Sequence, residues 1–60
     1  MRTVKYYGFY SKTIDGLSVY FLEAIYNDNS TNEVDFSTNE NYIVRKCMKL
    51  NKNLSINIKG

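Results

Sequence analysis

Leu17-Ser18-Val19-Tyr20-Phe21-Leu22-Glu23-Ala24-Ile25-Tyr26 is the longest apolar-rich run in the chain, and the tight-turn pair Asp15-Gly16 stands directly before it. Its reading decides the fold. Helical spacing fits, since Leu17, Tyr20, Phe21, Ala24 and Ile25 recur at i, i+3, i+4, i+7 and i+8. Val, Tyr, Phe and Ile nevertheless suit a pleated sheet, and a strand flanked on both sides reads as continuously apolar. Asp-Gly between two hydrophobic runs signals a two-residue hairpin, because both turn residues need positive φ. The run is therefore expected to be the central strand of a small sheet.

Working upstream, a hairpin closed at Asp15-Gly16 pairs Ile14 with Leu17, Tyr10 with Phe21, Phe9 with Leu22, Tyr7 with Ala24 and Tyr6 with Ile25. The pleat sorts these side chains onto two faces. One carries Val4, Tyr6, Tyr10, Ile14, Leu17, Val19, Phe21 and Ile25 and is expected to be the core side. The other carries Tyr7, Phe9, Tyr20, Leu22, Ala24 and Tyr26 and is expected to face outward. Gly8 falls opposite Glu23, where a bulge or a close approach is expected.

Working downstream, residues 27–33 read as a polar loop and Val34-Asp35-Phe36 as a short third strand. Ser37 and Glu40 have the spacing of a capping box. From there Ile43, Val44, Cys47, Met48 and Leu50 form one helical stripe, with Arg45, Lys46 and Lys49 at its edges or outside it. Tyr42-Ile43-Val44 also has strand propensity, so helix and strand both remain open over residues 41–50. Leu54-Ser55-Ile56-Asn57-Ile58 alternates cleanly and is expected to be a half-buried strand. The expected fold is α+β, a β-β-β-α-β order with a mainly antiparallel sheet and one helix on one face. The alternative is an all-β meander curling into a small barrel.

Sixty residues make one domain, 1–60, near the lower limit for independent folding. Cys47 is the single cysteine, so no intrachain disulfide can support the core, and the lack of histidine excludes a histidine-based metal site. Self-association is one way such a chain gains stability. No apolar run reaches the ~20 residues of a membrane span, and Met1-Arg2-Thr3-Val4-Lys5 leads into no hydrophobic signal segment. A lone thiol and no export signal point to the cytoplasm. Eight Asn, six Lys, six Tyr and five Ile are residues that AT-rich codons specify, which suggests a low-GC bacterium or a phage or mobile element of one, with the host cytoplasm as its compartment.

Nucleophilic chemistry needs an activated group with a base in reach. Cys47 has no histidine partner, no carboxylates sit in an acid/base motif, and Gly8, Gly16 and Gly60 are too isolated for a phosphate loop. No enzyme activity, cofactor or metal is expected. Charge is more informative than the net +2 suggests. Arg2, Lys5 and Lys12 begin the chain. Every acid (Asp15, Glu23, Asp28, Glu33, Asp35, Glu40) lies in the middle, and Arg45, Lys46, Lys49, Lys52 and Lys59 close it. Neighbouring elements can neutralise one another this way, or Arg45, Lys46, Lys49 and Lys52 can form a basic surface for an acidic protein or a phosphate backbone.

A single helix cannot cover both faces of so aromatic a hairpin, and exposed apolar patches mark interfaces. Tyr7, Phe9, Tyr20, Leu22 and Tyr26 are the expected partner or oligomer interface, tyrosine giving large contact area with a polar tip. The expected function is a small non-catalytic protein-interaction module, self-associating, that binds and modulates or inhibits a larger macromolecular partner. The alternative is a single-stranded nucleic-acid-binding protein that stacks bases on the aromatic face beside a basic helix. Six acids and a charge of +2 weigh against the alternative.

Overall fold

A computed structural model describes the backbone of residues 2–59 and the side chains of residues 2–54. Three strands form an antiparallel meander in the order β1-β2-β3: β1 is Val4–Ile14, β2 Leu17–Tyr26 and β3 Thr31–Ser37. One long helix follows, α1, Glu40–Lys59. The fold is a small α+β sheet with a helix packed on it, and the sheet does not close into a barrel.

The hairpin forms as its turn chemistry requires. Asp15 and Gly16 both take positive φ, 51° and 79°, the left-handed backbone of a type I′ turn. The register follows, with Tyr10 opposite Phe21, Phe9 opposite Leu22, Tyr7 opposite Ala24 and Tyr6 opposite Ile25. Pairing stays regular through Gly8 and Glu23, and the irregularity falls instead between Val4 and Tyr6, where Lys5 is the extra residue. At Gly8 there is a close approach: an added Cβ would lie 3.4 Å from Ile25 Cδ1.

The turn after β2 is shorter than the polar composition of residues 27–33 suggests. Asn29 takes a φ of 69°, its N–H donates to the Tyr26 carbonyl at 2.9 Å, and the Tyr26 N–H donates to Ser30 at 2.9 Å. The chain turns within residues 27–30, so Thr31, Asn32 and Glu33 join the third strand ahead of Val34. The register on β2 slips once, between Leu22 and Glu23, leaving Val34 as the inserted residue.

The helix begins two residues later than the capping-box spacing implies. Asn39, not Ser37, is the N-cap: its Oδ1 accepts from the Tyr42 N–H at 3.2 Å, while Ser37 Oγ accepts from the Asn39 N–H at 3.0 Å. The helix then runs without a break to Lys59, so the strand expected over residues 54–58 is absent. Alternation of period two in five residues was outweighed by continuity: no Gly or Pro lies between Glu40 and Lys59 to end the helix. The half-burial expected of Ile56 and Ile58 lies outside the described side chains. With Glu40, Asn41 and Tyr42 opening the helix, residues 41–50 resolve as helix rather than strand.

The face that the helix covers is the reverse of the one expected. Leu22, Ala24, Ile43 and Cys47 are the buried apolar residues, with Tyr7, Tyr20 and Leu50 packed around them. Helix α1 therefore lies on the Tyr7, Tyr20, Leu22, Ala24 side and leaves the Tyr6, Tyr10, Phe21 side open. Two features favour that side. Asp35 on that side engages Lys46 and Tyr42 of the helix, and Asn51 bonds the backbone of Tyr7 at the β1 edge. Met48, expected on the buried stripe, is 66% exposed, because the buried line runs Ile43, Cys47, Leu50, Leu54 instead.

Candidate protein-interaction surface

Two polar clamps hold the helix to the sheet. Near its start, Lys46 Nζ donates to Asp35 Oδ2 at 2.7 Å and the Tyr42 hydroxyl donates to the same oxygen at 2.6 Å. These two donors and the Phe36 N–H hold the Asp35 carboxyl well below its ordinary value, at about 2, with the Lys46 bond the largest cause. The same contact with Asp35 raises the Lys46 ammonium. Further along, Asn51 reads the outer edge of β1 as a paired strand would. Its Oδ1 accepts from the Tyr7 N–H at 2.7 Å and its Nδ2 donates to the Tyr7 carbonyl at 3.0 Å. The Cys47 thiol also donates to that carbonyl, at 3.4 Å, and burial pushes its pKa up.

These clamps fix where the expected interface residues lie. Leu22 is fully buried under the helix, and Tyr7 and Tyr20 pack against the same core, so these three are core residues and not an outward patch. Tyr26 is half-buried, with the Arg2 guanidinium 4.3 Å from its ring centre. Of the five, Phe9 alone is exposed: it lies on the edge strand β1, beside the fully buried Leu22. Of the expected basic surface, Arg45, Lys49 and Lys52 are exposed on the helix, while Lys46 is engaged by Asp35. Arg45 and Lys49 line an open groove along the helix together with Asn41, Tyr42 and Asn53.

The uncovered apolar surface is the opposite sheet face. Across its middle runs a row of three rings, one from each strand. Tyr10 and Phe21 stack with centroids 5.4 Å apart and planes at 19°, and Phe21 and Phe36 follow at 6.1 Å. Tyr6 flanks the row on one side, Ile14 and Leu17 on the other, and Phe36 and Leu17 are each 61% exposed. Charges are interleaved with these rings. Lys12 projects its amine to 5.8 Å from the Tyr10 centroid and 5.9 Å from the Phe21 centroid. On the other side of the row Glu23 stands directly opposite Glu33. Like charges facing each other across strands destabilise a sheet, so this pair costs the fold some stability.

Charge gives only a partial signal for the open face. Lys12 and Glu23 belong to the Tyr10 and Phe21 side by alternation, and charged residues are almost never fully buried unpaired. The helix-facing side carries Ser11, Thr13 and Ser18 beside its apolar residues, but alternation also puts Lys5 there, and Asp35 on β3 pairs with Leu22 on that side.

Among the described residues no cluster of three His, Cys, Asp or Glu side chains could hold a metal ion, and no helix is long and apolar enough to cross a membrane. Comparison with protein-family models, with curated proteins and with solved structures finds no match to this chain.

Proposed function

We propose that this chain is a small non-catalytic protein-interaction module that binds and modulates a larger macromolecular partner. The open sheet face carries the reading. It presents Tyr6, Tyr10, Phe36, Ile14 and Leu17 to solvent around a row of contiguous rings, with no second layer over them. Aromatic residues at the centre of a patch with charges at its margins are the anatomy of a protein interface. Chemistry has little to work with: the Cys47 thiol is buried beneath the helix, and the most perturbed carboxylate, Asp35, is committed to Lys46 and Tyr42.

The nucleic-acid alternative is less well supported by the same geometry. Single-strand binders place stacking rings beside a basic groove. Here the exposed helix cations Arg45, Lys49 and Lys52 are on the helix side of the molecule, and the ring row adjoins Glu23 and Glu33. A phosphate backbone laid along the rings would meet those carboxylates.

A photo-crosslinking residue at position 36 tests the reading, with position 48 on the exposed helix surface as the control. Irradiation in cells carrying the protein should give protein adducts from position 36 and far fewer from position 48. Nucleic-acid adducts from position 36, or none of any kind, would overturn the proposal.

A further inference from the structure

We infer that the open sheet face is occupied by a second copy of this chain, packed face to face about a two-fold axis that runs along the Tyr10–Phe21–Phe36 row. The inference rests on reading that face as a protein contact and takes a second copy, rather than a larger protein, as what covers it.

The charges on the face are arranged for this. Lys12 lies two residues from Tyr10 towards the hairpin tip. Glu23 lies two residues from Phe21 in the opposite direction, paired with Glu33 on β3. Cation and carboxylates are thus displaced equally from the ring row, each by about 6.8 Å along the strands. Rotation by 180° about the row turns the second sheet over and reverses its strands. The ring row then meets its own copy. Lys12 of one copy comes over the Gly8–Glu23–Glu33 row of the other, and the reciprocal contact forms by symmetry. A two-fold interface must be self-complementary in this sense, with each residue's partner contacting that residue's own copy. Sheets packed face to face lie about 10 Å apart and neighbouring strands about 4.8 Å apart, so a lysine stem on β1 spans the distance to Glu23 on β2. The unfavourable Glu23–Glu33 pairing within one copy acquires a cation in the dimer.

The shape agrees as well. The Cα trace is only 11 Å thick along its shortest axis, one sheet and one helix deep, and a second sheet supplies the missing layer. In such a dimer the exposed Arg45, Lys49 and Lys52 of both helices point outward.

A charge-reversal cycle on the full chain, read by sedimentation equilibrium, tests the arrangement. The wild-type chain should be dimeric at about 100 µM. Lys12→Glu alone, and Glu23→Lys with Glu33→Lys alone, each set like charges against one another at both symmetric contacts and should weaken the dimer by about tenfold or more. Mixed together, the two variants restore both contacts and should form a heterodimer within about threefold of the wild-type dissociation constant. Should Glu23→Lys disturb the fold, Lys12→Glu, at an exposed position, tests the contact by itself: its dimer should weaken about tenfold or more while its circular dichroism stays that of the wild type. A wild-type monomer at that concentration overturns the inference, as does a mixture that fails to associate. A dimer indifferent to both variants overturns it too, by placing the contact elsewhere, such as the open edge of β3. Crosslinks from position 36 to a larger protein, combined with a monomeric wild type, would remove this inference and leave the interaction-module reading standing.

Discussion

Replacing Leu22 with alanine should cost far more stability than replacing Leu17, although both leucines sit on the central strand. Leu22 is 0% exposed, enclosed by Ile43, Cys47, Tyr7, Tyr20 and Leu50, whereas Leu17 is 61% exposed on the open face. Truncating a fully buried leucine removes its transfer free energy and leaves a cavity, together about 2–5 kcal/mol. A rigid sheet on one side and a clamped helix on the other limit collapse of that cavity, so about 3 kcal/mol is expected. Leu17 keeps well under half of its surface buried, and its loss should cost less than about 1 kcal/mol. A 60-residue domain at the usual 0.05–0.15 kcal/mol per residue has about 3–9 kcal/mol in total. With four buried apolar residues among those described, this chain belongs at the lower end, so Leu22→Ala should consume most of the margin and leave a substantial unfolded fraction in water. Urea unfolding followed by far-UV circular dichroism gives both values. Repeating the titration at tenfold dilution separates folding from association, because a dimer's midpoint moves with concentration and a monomer's does not. Equal losses at the two positions, or a larger one at Leu17, would put the helix on the other face and refute the packing.

Two further outcomes follow from the helix clamps. The Asp35 carboxyl is held at about 2, below the ordinary 3.8, chiefly by the Lys46 hydrogen bond and then by the Tyr42 hydroxyl. A depressed carboxyl stabilises the fold above its unfolded pKa, and that contribution fades as pH falls from about 4 towards 2. Asp35→Asn should therefore flatten stability against pH across that window and change little of the pH dependence between 5 and 8, whereas an unchanged acid profile would show the clamp is not formed in solution. Asn51→Ala leaves the Tyr7 N–H without its partner at the β1 edge and the Tyr7 carbonyl with only the Cys47 thiol, and should cost about 1–3 kcal/mol. Amide exchange read by NMR should quicken most at Tyr7, and continued protection there would show that another group covers the edge.

Local features were legible wherever a short-range rule acts alone. Asp15-Gly16 specified the turn, and the turn specified the pairing from Ile14 and Leu17 back to Tyr6 and Ile25. The helix was legible in the period of Ile43, Cys47 and Leu50, but its end was not, because alternation at residues 54–58 fits a strand and the deciding factor is an unbroken helix beginning at Glu40. The cap was misplaced by two residues because Ser37 and Asn39 are both good caps, and only the exit angle of β3 selects Asn39.

The candidate surface divides in the same way. That this hairpin has more apolar area than one helix can cover follows from its composition and its strand period, and those belong to the sequence. Which face remains open does not. Tyr6, Tyr10 and Phe21 on one side and Tyr7, Leu22 and Ala24 on the other are both apolar enough to form a core, so hydrophobic pattern leaves the choice nearly balanced. Asp35 reaching Lys46 and Asn51 reaching Tyr7 tip it, and these are contacts between residues 11 to 44 positions apart in the chain. Long-range pairing of that kind has no periodic trace in the sequence, because it depends on where the helix lies and not on what any one segment prefers.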